Sequence, residues 1–177
     1  MKKILFFTAI LSSLLSYSQR EVNYNFTLNF TFTHNENFGE FDEYLEETDW
    51  SFFAYKSFLI RNGLEVQINR LVSTGINIGL DWHPDLDVLA IPYYLDTKIA
   101  ISEVDDDKFY VSGGIGKLLK ISDAFDKGNY FKVGLGYHIA TEKSKAIILN
   151  IDFHQKDFID FDKGKLNSLS IGFGVLF

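Results

Sequence analysis

Alternation of apolar and polar side chains is the dominant pattern of this chain. From Val22 to Thr33 every second residue is apolar, and each residue between is asparagine or threonine. Such a run is typical of a β-strand with one apolar and one polar face. Its twelve residues exceed the usual strand of a soluble domain. The length suits a tilted strand that crosses a bilayer.

The same alternation predicts seven further strands, less regular in places. Their predicted ranges are 58–68, 74–82, 89–101, 109–118, 131–140, 146–153 and 166–177. The ends near 51–58 and 109–118 are the least defined. In the first, the aromatic residues follow a different phase, and in the second three glycines weaken the alternation and predict a bulge or close packing. Pro92 near the start of the fourth strand also predicts an early strand position or a bulge.

The connections between these strands alternate between long and short. An even number of strands with short turns at one end and long loops at the other is typical of a bacterial outer-membrane barrel with both termini in the periplasm. The last strand ends on Phe177, and its expected partner is the first strand, which would close the sheet into a barrel. The sequence therefore predicts an all-β fold, an eight-stranded antiparallel up-and-down transmembrane β-barrel.

The first eighteen residues form a predicted signal peptide, 1–18, that leaves a mature barrel domain of residues 19–177. Lys2 and Lys3 precede an apolar run that ends in the small-x-small site before Gln19. Removal of two lysines changes the formal charge from −7 to −9. That charge argues against a nucleic-acid partner. No cysteine is present, so disulfides and cysteine-based metal sites are excluded.

The mature chain resembles the small outer-membrane β-barrel family of Bacteroidota, related in architecture to the OmpA membrane domain and OmpX and often described as porin-like. The resemblance rests on the leader before Gln19, on segments 91–95 and 134–137, and on the closing segment 171–177. It implies no catalytic residues. It implies that the outer-membrane assembly machinery recognises the last strand, with Phe177, Val175 and Phe173 as the signal.

Two kinds of barrel fit this alternation, and they differ in whether the apolar face of the strands points outward or inward. In a membrane barrel the bulky apolar residues face lipid. In the alternative, a soluble lipocalin-like barrel, they line a cavity for a hydrophobic ligand. Eight strands enclose too little space for so many large side chains, which favours the membrane barrel. Aromatic residues near strand ends then form two interfacial girdles. These are Tyr24, Phe32, Phe58, Trp82, Phe109, Phe131, Phe153 and Phe177.

With the apolar face outside, several charged residues point into the lumen. They are Arg61, Glu65, Asp96, Lys98, Lys132, His138 and Asp152. Buried charges need partners, so the first interpretation is a polar network that fills the lumen. The alternative is a proton or ion path, although eight strands leave no aqueous channel.

Other chemistry is weakly indicated. His34, His83 and His154 fall in or beside predicted outer loops and are expected on a solvated surface, and no spacing suggests a metal site. A lipid A-modifying enzyme would need a grouping such as His138 with Ser112 or Asp152. The acidic loop 34–50 is expected to stay solvated, with divalent cations or a surface partner as alternatives.

The sequence thus predicts a monomer without cofactor or catalytic site, in contact with outer-membrane lipid and lipopolysaccharide. A structural or adhesion-like role at the cell envelope is the expected function.

Overall fold

A computed structural model of the chain describes residues 22–34, 41–42, 47–48, 53–121, 127–142, 145–159 and 164–177. The predicted signal peptide and most of the acidic loop 34–50 lie outside these residues. Eight long strands make up almost all of the described chain. They are β1 Val22–His34, β2 Phe53–Gln67, β3 Val72–His83, β4 Val88–Val104, β5 Asp107–Lys120, β6 Gly128–Glu142, β7 Lys145–Phe158 and β8 Lys165–Leu176.

The eight strands form one closed antiparallel barrel in which each strand pairs with its sequence neighbours and β1 pairs with β8. This confirms the predicted fold. Val22 and Phe177, where the described barrel begins and ends, lie at the same end as the short connections, such as the turn at Asp105 and Asp106, and this end is called the termini end. Both aspartates have positive φ, as a two-residue hairpin turn requires. The opposite end, the loop end, carries the longer connections and one short 3-10 helix, Pro84–Leu86.

The strands are strongly tilted. A row of directly paired residues can be followed once around the barrel. It leaves β8 at Val175, crosses each of the seven remaining strands and returns to β8 at Lys165, ten positions earlier. The row passes through Phe26, Asn62, Ile78, Tyr93, Lys117, Asn129 and Asp157. Eight strands with a shear of ten are tilted by about 40° from the barrel axis, and the interior is just wide enough for side chains to fill it.

Large apolar side chains cover the outside of the barrel. Ile76 is 72% exposed and Ile115 is 66% exposed, and the outward residues of all eight strands follow the same pattern. The register places Tyr24, Phe109 and Phe177 near the termini end of this surface. Phe32, Phe58, Trp82, Phe131 and Phe153 lie roughly 20 Å nearer the loop end, as strand rise and tilt give. The two sets correspond to aromatic girdles on both sides of an apolar band.

The amide side chain of Asn62 lies on this apolar outer face. Asn62 is flanked by Phe26 and Ile78 in the paired row. The hydroxyl of Tyr24 donates a hydrogen bond to its Oδ1. The amide oxygen therefore has its partner within the barrel, which matters where lipid offers none.

Replacement of Tyr24 by phenylalanine is expected to lower the free energy of unfolding by about 1–2 kcal/mol, because the Asn62 oxygen loses its partner. Urea titration of protein folded into lipid vesicles, followed by tryptophan fluorescence, measures the change. The double variant Tyr24→Phe, Asn62→Leu removes both polar groups and should recover most of the loss. Equal losses in the single and double variants would contradict this role.

Several strands extend beyond their predicted ends. β2 begins at Phe53 rather than Phe58, and a bulge at its pairing with β1 explains the change of phase, since Thr31 pairs with Ser57 but Phe32 pairs with Tyr55. A second bulge lies in β4 between Ala100 and Ser102. At Pro92 the ladder to β3 has no paired residues, yet the register continues unshifted on either side.

The predicted end of the seventh strand at Phe153, with a loop from there to Lys165, is wrong. β7 continues through His154 to Phe158 and pairs with both β6 and β8 over this stretch. In the acidic loop, only the short ladder of Phe41–Asp42 with Glu47–Thr48 belongs to the described residues. No helix among the described residues is long and apolar enough to cross a bilayer.

The glycines of β5 lie on two different faces. Gly114 and Gly116 face inward, and a Cβ at Gly116 would lie 2.0 Å from the backbone oxygen of Tyr93 and 2.4 Å from Cβ of Tyr94. Gly113 faces outward, and a Cβ there would meet nothing within 4 Å. The close packing expected in this segment is therefore real on the inner face, where the glycine makes room for the Tyr94 side chain.

Gly116→Ala is expected to destabilise the barrel by about 1–3 kcal/mol, because the neighbouring strand must move away from the new methyl group. Gly113→Ala, the same change on the same strand, should be neutral or stabilising by up to about 1 kcal/mol. Comparing the temperatures at which the two variants lose their compact gel mobility tests the difference. Similar behaviour of the two variants would refute the packing argument.

Candidate functional site

The interior of the barrel is the only part of the described structure where charged groups are gathered and buried together. All seven residues predicted for the lumen lie on inward positions of their strands. Arg61, Glu65, Asp96, Lys132 and Asp152 are buried, whereas Lys98 and His138 are partly buried near the termini end. The structure groups the charges into three layers along the barrel axis.

The loop-end layer consists of Arg61, Asp81 and Lys156. Arg61 Nη1 donates to Asp81 Oδ1, and Lys156 Nζ lies 2.7 Å from Asp81 Oδ2. Asp81 and Lys156 are fully buried. Lys156 Nζ also lies 2.7 Å from His83 Nε2, to which it donates. One carboxylate therefore neutralises two cations from different strands.

A chain of hydrogen bonds continues from Arg61 across the lumen. Arg61 Nη2 donates to the Tyr130 hydroxyl at 3.2 Å, so the tyrosine proton points to His154 Nδ1 at 2.7 Å. His154 Nε2 must then carry the proton that it donates to Ser170 Oγ, also at 2.7 Å. The Ser170 hydroxyl in turn donates a hydrogen bond to the backbone oxygen of Asp152, at 3.3 Å. His154 is thus a neutral imidazole whose tautomer is set by its neighbours.

The expectation of solvated loop histidines is wrong for His83 and His154. Both are buried inside the barrel. The strands β3 and β7 run past the predicted ends and carry them on inward positions, where Lys156 and Tyr130 bind them. The His34 side chain lies outside the described residues.

The middle layer consists of Asp96, Lys132 and Asp152. Lys132 Nζ lies 3.3 Å from Asp96 Oδ2 and 3.7 Å from Asp152 Oδ1. Asn150 donates to Asp152 Oδ2 and, at 2.9 Å, to Asn29 Oδ1. Two carboxylates here share one lysine, the reverse of the loop-end layer.

The termini-end layer is the ion pair of Glu65 and Lys98. Lys98 Nζ lies 2.5 Å from Glu65 Oε2, and Ser73 donates to Glu65 Oε1 at 2.6 Å. The ammonium also lies 5.3 Å from the centre of the Tyr110 ring. The ring of His138 contacts the Tyr110 ring, with the two ring centres 4.7 Å apart.

The three layers together are neutral. They contain four cations, Arg61, Lys98, Lys132 and Lys156, and four anions, Glu65, Asp81, Asp96 and Asp152. The surplus positive charge of the loop-end layer is balanced by the surplus negative charge of the middle layer. Such mutual compensation makes a charged interior tolerable in a medium of low dielectric constant.

Apolar side chains close the lumen at the loop end. Tyr94 and Tyr130, with ring centres 4.8 Å apart, belong to a cluster with Val88, Ala90, Leu118 and Phe158. Below this loop-end cluster lies a cavity of about 30 Å³ lined by the middle layer, with room for about one water molecule. A larger vestibule of about 690 Å³ opens at the termini end.

The structure does not assemble the candidate catalytic grouping. Nε2 of His138 has no hydrogen-bond partner, so it bonds to neither Ser112 nor Asp152. Ser170 and His154 do have the separation of a nucleophile and its base, but both are fully buried inside the barrel, away from the outer face. Among the described residues there is also no group of three or more His, Asp or Glu that could hold a metal ion.

The predicted set lacked several lumen residues, among them four that are central to the loop-end layer and its hydrogen-bond chain: Asp81, Lys156, His154 and Tyr130. Asp81 alternates with Ile78, Leu80 and Trp82 and is recognisable as inward from the sequence. The other three follow or precede the clearly alternating segments. Their signal is only the continued spacing of two, counted from Asp152 or Lys132.

No protein-family model matches the sequence, and no curated protein matches it. Among solved structures, the chain is similar to a de novo designed transmembrane β-barrel, with a TM-score of 0.49, 8% identity, and coverage of 88% of this chain and 93% of the designed one. It is also similar to the N-terminal β-barrel domain of Pseudomonas aeruginosa OprF, with a TM-score of 0.49, 14% identity, and coverage of 90% and 100%. The class of this molecule, a transmembrane β-barrel, follows from its own closed sheet and from the polarity of its two faces.

Proposed function

We propose that the protein is a closed structural barrel of the outer membrane that holds its long loops at the cell surface. The observation that carries this proposal is the inverted polarity of the fold. Large apolar residues cover the outside, while four ion-paired cations and four anions fill the inside. A filled and closed interior serves rigidity rather than passage, so the loops are the parts free to act.

The soluble lipocalin-like alternative requires an apolar cavity for its ligand. Both described cavities of the lumen are instead lined by charged and amide side chains, such as Glu65 and Lys98 in the vestibule and Asp96 and Asn150 further in. A lipid A-modifying activity finds no support in the Ser170 and His154 pair, because both side chains are fully buried inside the barrel. We therefore retain the structural role.

Assembly and orientation follow from the same proposal. The predicted signal peptide would export the chain, and the assembly machinery would recognise the last strand through Phe173, Val175 and Phe177, which all face outward. The backbone of Phe177 exchanges two hydrogen bonds with Tyr24, at 2.6 and 2.9 Å, so the recognised residue also closes the barrel. Both termini would then lie in the periplasm, as in the Bacteroidota family that the sequence resembles.

The partners of this barrel would be outer-membrane lipid and lipopolysaccharide along the apolar band. The acidic loop 34–50 would offer a surface for an adhesion-like contact. No strand edge is left unpaired in the closed sheet, which supports a monomer.

Cell fractionation with heat-modifiable gel mobility tests this function. We expect the protein in the outer membrane, with a faster band before boiling than after it. Protease added to intact cells should cut within the loop-end connections and spare an epitope inserted after Gln19, at the start of the predicted mature chain, where it leaves the last strand unchanged. Recovery in the soluble periplasm or the medium would rule out the proposal, and cleavage of the terminal epitope would reverse the orientation.

The barrel should not conduct ions. In planar bilayers we expect conductance at background level, because the loop-end cluster and the ion-paired layers occupy the lumen. The variant Tyr130→Ala opens the loop-end cluster and serves as the comparison. Discrete channels in the unaltered protein that disappear on Lys98→Ala or Glu65→Ala would instead support the ion-path interpretation.

A further inference from the structure

The vestibule at the termini end has no assigned role. It measures about 690 Å³, within the range of small-molecule sites. Its inner wall is formed by Tyr110 and Lys98, which also line the small cavity of the middle layer, so a molecule entering the vestibule stops at this level. Access is from the termini end alone, since the loop-end cluster closes the other mouth.

The charges around the vestibule cancel. Four acidic residues line it, Glu65, Glu103, Asp105 and Asp106, as do four basic residues, Arg70, Lys98, Lys108 and Lys145. The deepest pair, Glu65 and Lys98, is already joined at 2.5 Å, and at the rim Arg70 Nε donates to Glu103 at 2.9 Å. Because this surface has no net charge, it favours neither an anionic nor a cationic ligand.

Uncharged hydrogen-bonding groups are what remains for a ligand. His138 lines the vestibule, and its Nε2 is buried without a hydrogen-bond partner. The Asn23 amide and the Tyr110 side chain line the same space, and the rings of Tyr110 and His138 are in contact. A buried polar atom without a partner costs free energy, which a ligand that hydrogen-bonds to it would recover.

We infer that the vestibule binds an uncharged, hydroxyl- and amide-bearing small molecule of roughly disaccharide size, taken up from the termini side. The partly exposed imidazole of His138, which packs on Tyr110, would contact the flat face of a sugar ring, and His138 and Asn23 would hydrogen-bond to its hydroxyl or acetamide groups. The ion pair of Glu65 and Lys98 shapes the wall and is not broken by the ligand.

The test uses the full mature protein in lipid nanodiscs and the uncharged disaccharide N,N′-diacetylchitobiose as the probe. Its deacetylated, cationic form is the matched comparison. Chemical shifts of the backbone amides around the vestibule are followed during titration in every variant, together with the His138 ring protons wherever that residue is kept. We expect saturable shifts with the acetylated sugar, and affinity about tenfold weaker in His138→Leu, because a hydrogen bond and ring contact are lost. Lys165→Gln, at the loop end, should bind as the unaltered protein does.

Tyr110→Phe provides a second variant that keeps the ring and should fold normally, and it is expected to weaken binding by a smaller factor. Heat-modifiable gel mobility confirms that each variant is folded. The inference is overturned if the acetylated sugar gives no saturable shift, if the His138 and Tyr110 variants bind as tightly as the unaltered protein, or if the cationic form binds better. Outer-membrane fractionation, by contrast, tests the structural role without reference to the vestibule.

Discussion

Asp81→Asn is expected to destabilise the barrel by about 3–5 kcal/mol, the largest loss of any single lumen substitution. Among the described residues, Asp81 is the carboxylate in contact with both Arg61 and Lys156, and all three side chains are buried. The amide leaves two cations close together with no neutralising charge. Urea titration of the protein in lipid vesicles measures the free energy of unfolding, and the loss of compact gel mobility gives an independent readout.

Two controls test whether the loss of stability in Asp81→Asn comes from the unneutralised charges of Arg61 and Lys156 rather than from altered packing. Asp157→Asn removes a carboxylate from the exterior, where Lys165 lies 3.6 Å away and is well exposed, and should cost about 1 kcal/mol or less. The double variant Asp81→Asn, Lys156→Met removes one charge of each sign and should be more stable than Asp81→Asn alone. If Asp81→Asn is no worse than Asp157→Asn, the loop-end layer does not hold the barrel together.

The fold was predictable because each strand of a membrane barrel requires apolar and polar residues to alternate with a period of two. Wherever a strand crosses the apolar band, one face must be apolar and the other polar, so Val22 to Thr33 and Leu166 to Phe177 are unambiguous. The alternation of long and short connections then gives the closure and the common end of the termini.

The errors occurred where strands leave the apolar band. Beyond Phe153 the outward residues of β7 are Gln155 and Asp157, so both faces of the strand are polar although its ladder continues. A polar segment looks like a loop, and His154 and Lys156 were therefore placed on the surface. The bulge before Ser57 had a similar effect, because one extra residue reverses which positions are apolar.

The members of the lumen network could be predicted, but their pairs could not. Inward orientation follows from parity alone, which is why Arg61, Glu65 and Lys132 were selected. Pairing depends on the shear, since a stagger of ten residues brings Lys156 of β7 level with Asp81 of β3 across the lumen. The stagger between distant strands is fixed only by closure of the whole sheet, so these pairs cannot be derived from the alternation within single strands.

Ile151→Arg should destabilise the barrel by about 2–4 kcal/mol, the cost of an arginine near the bilayer midplane on the lipid face of a barrel. Ile151 faces outward in the middle of β7, opposite Leu135 and Ile171, and is 51% exposed. The same change at Leu119, roughly 14 Å nearer the loop end by strand rise and tilt, should cost only about 0–1 kcal/mol because the side chain reaches water. Unfolding in lipid vesicles measures both variants. The two residues are similarly exposed in the barrel, so in a soluble protein both arginine substitutions would have the same small cost. Equal costs would therefore contradict the proposal that this surface faces lipid.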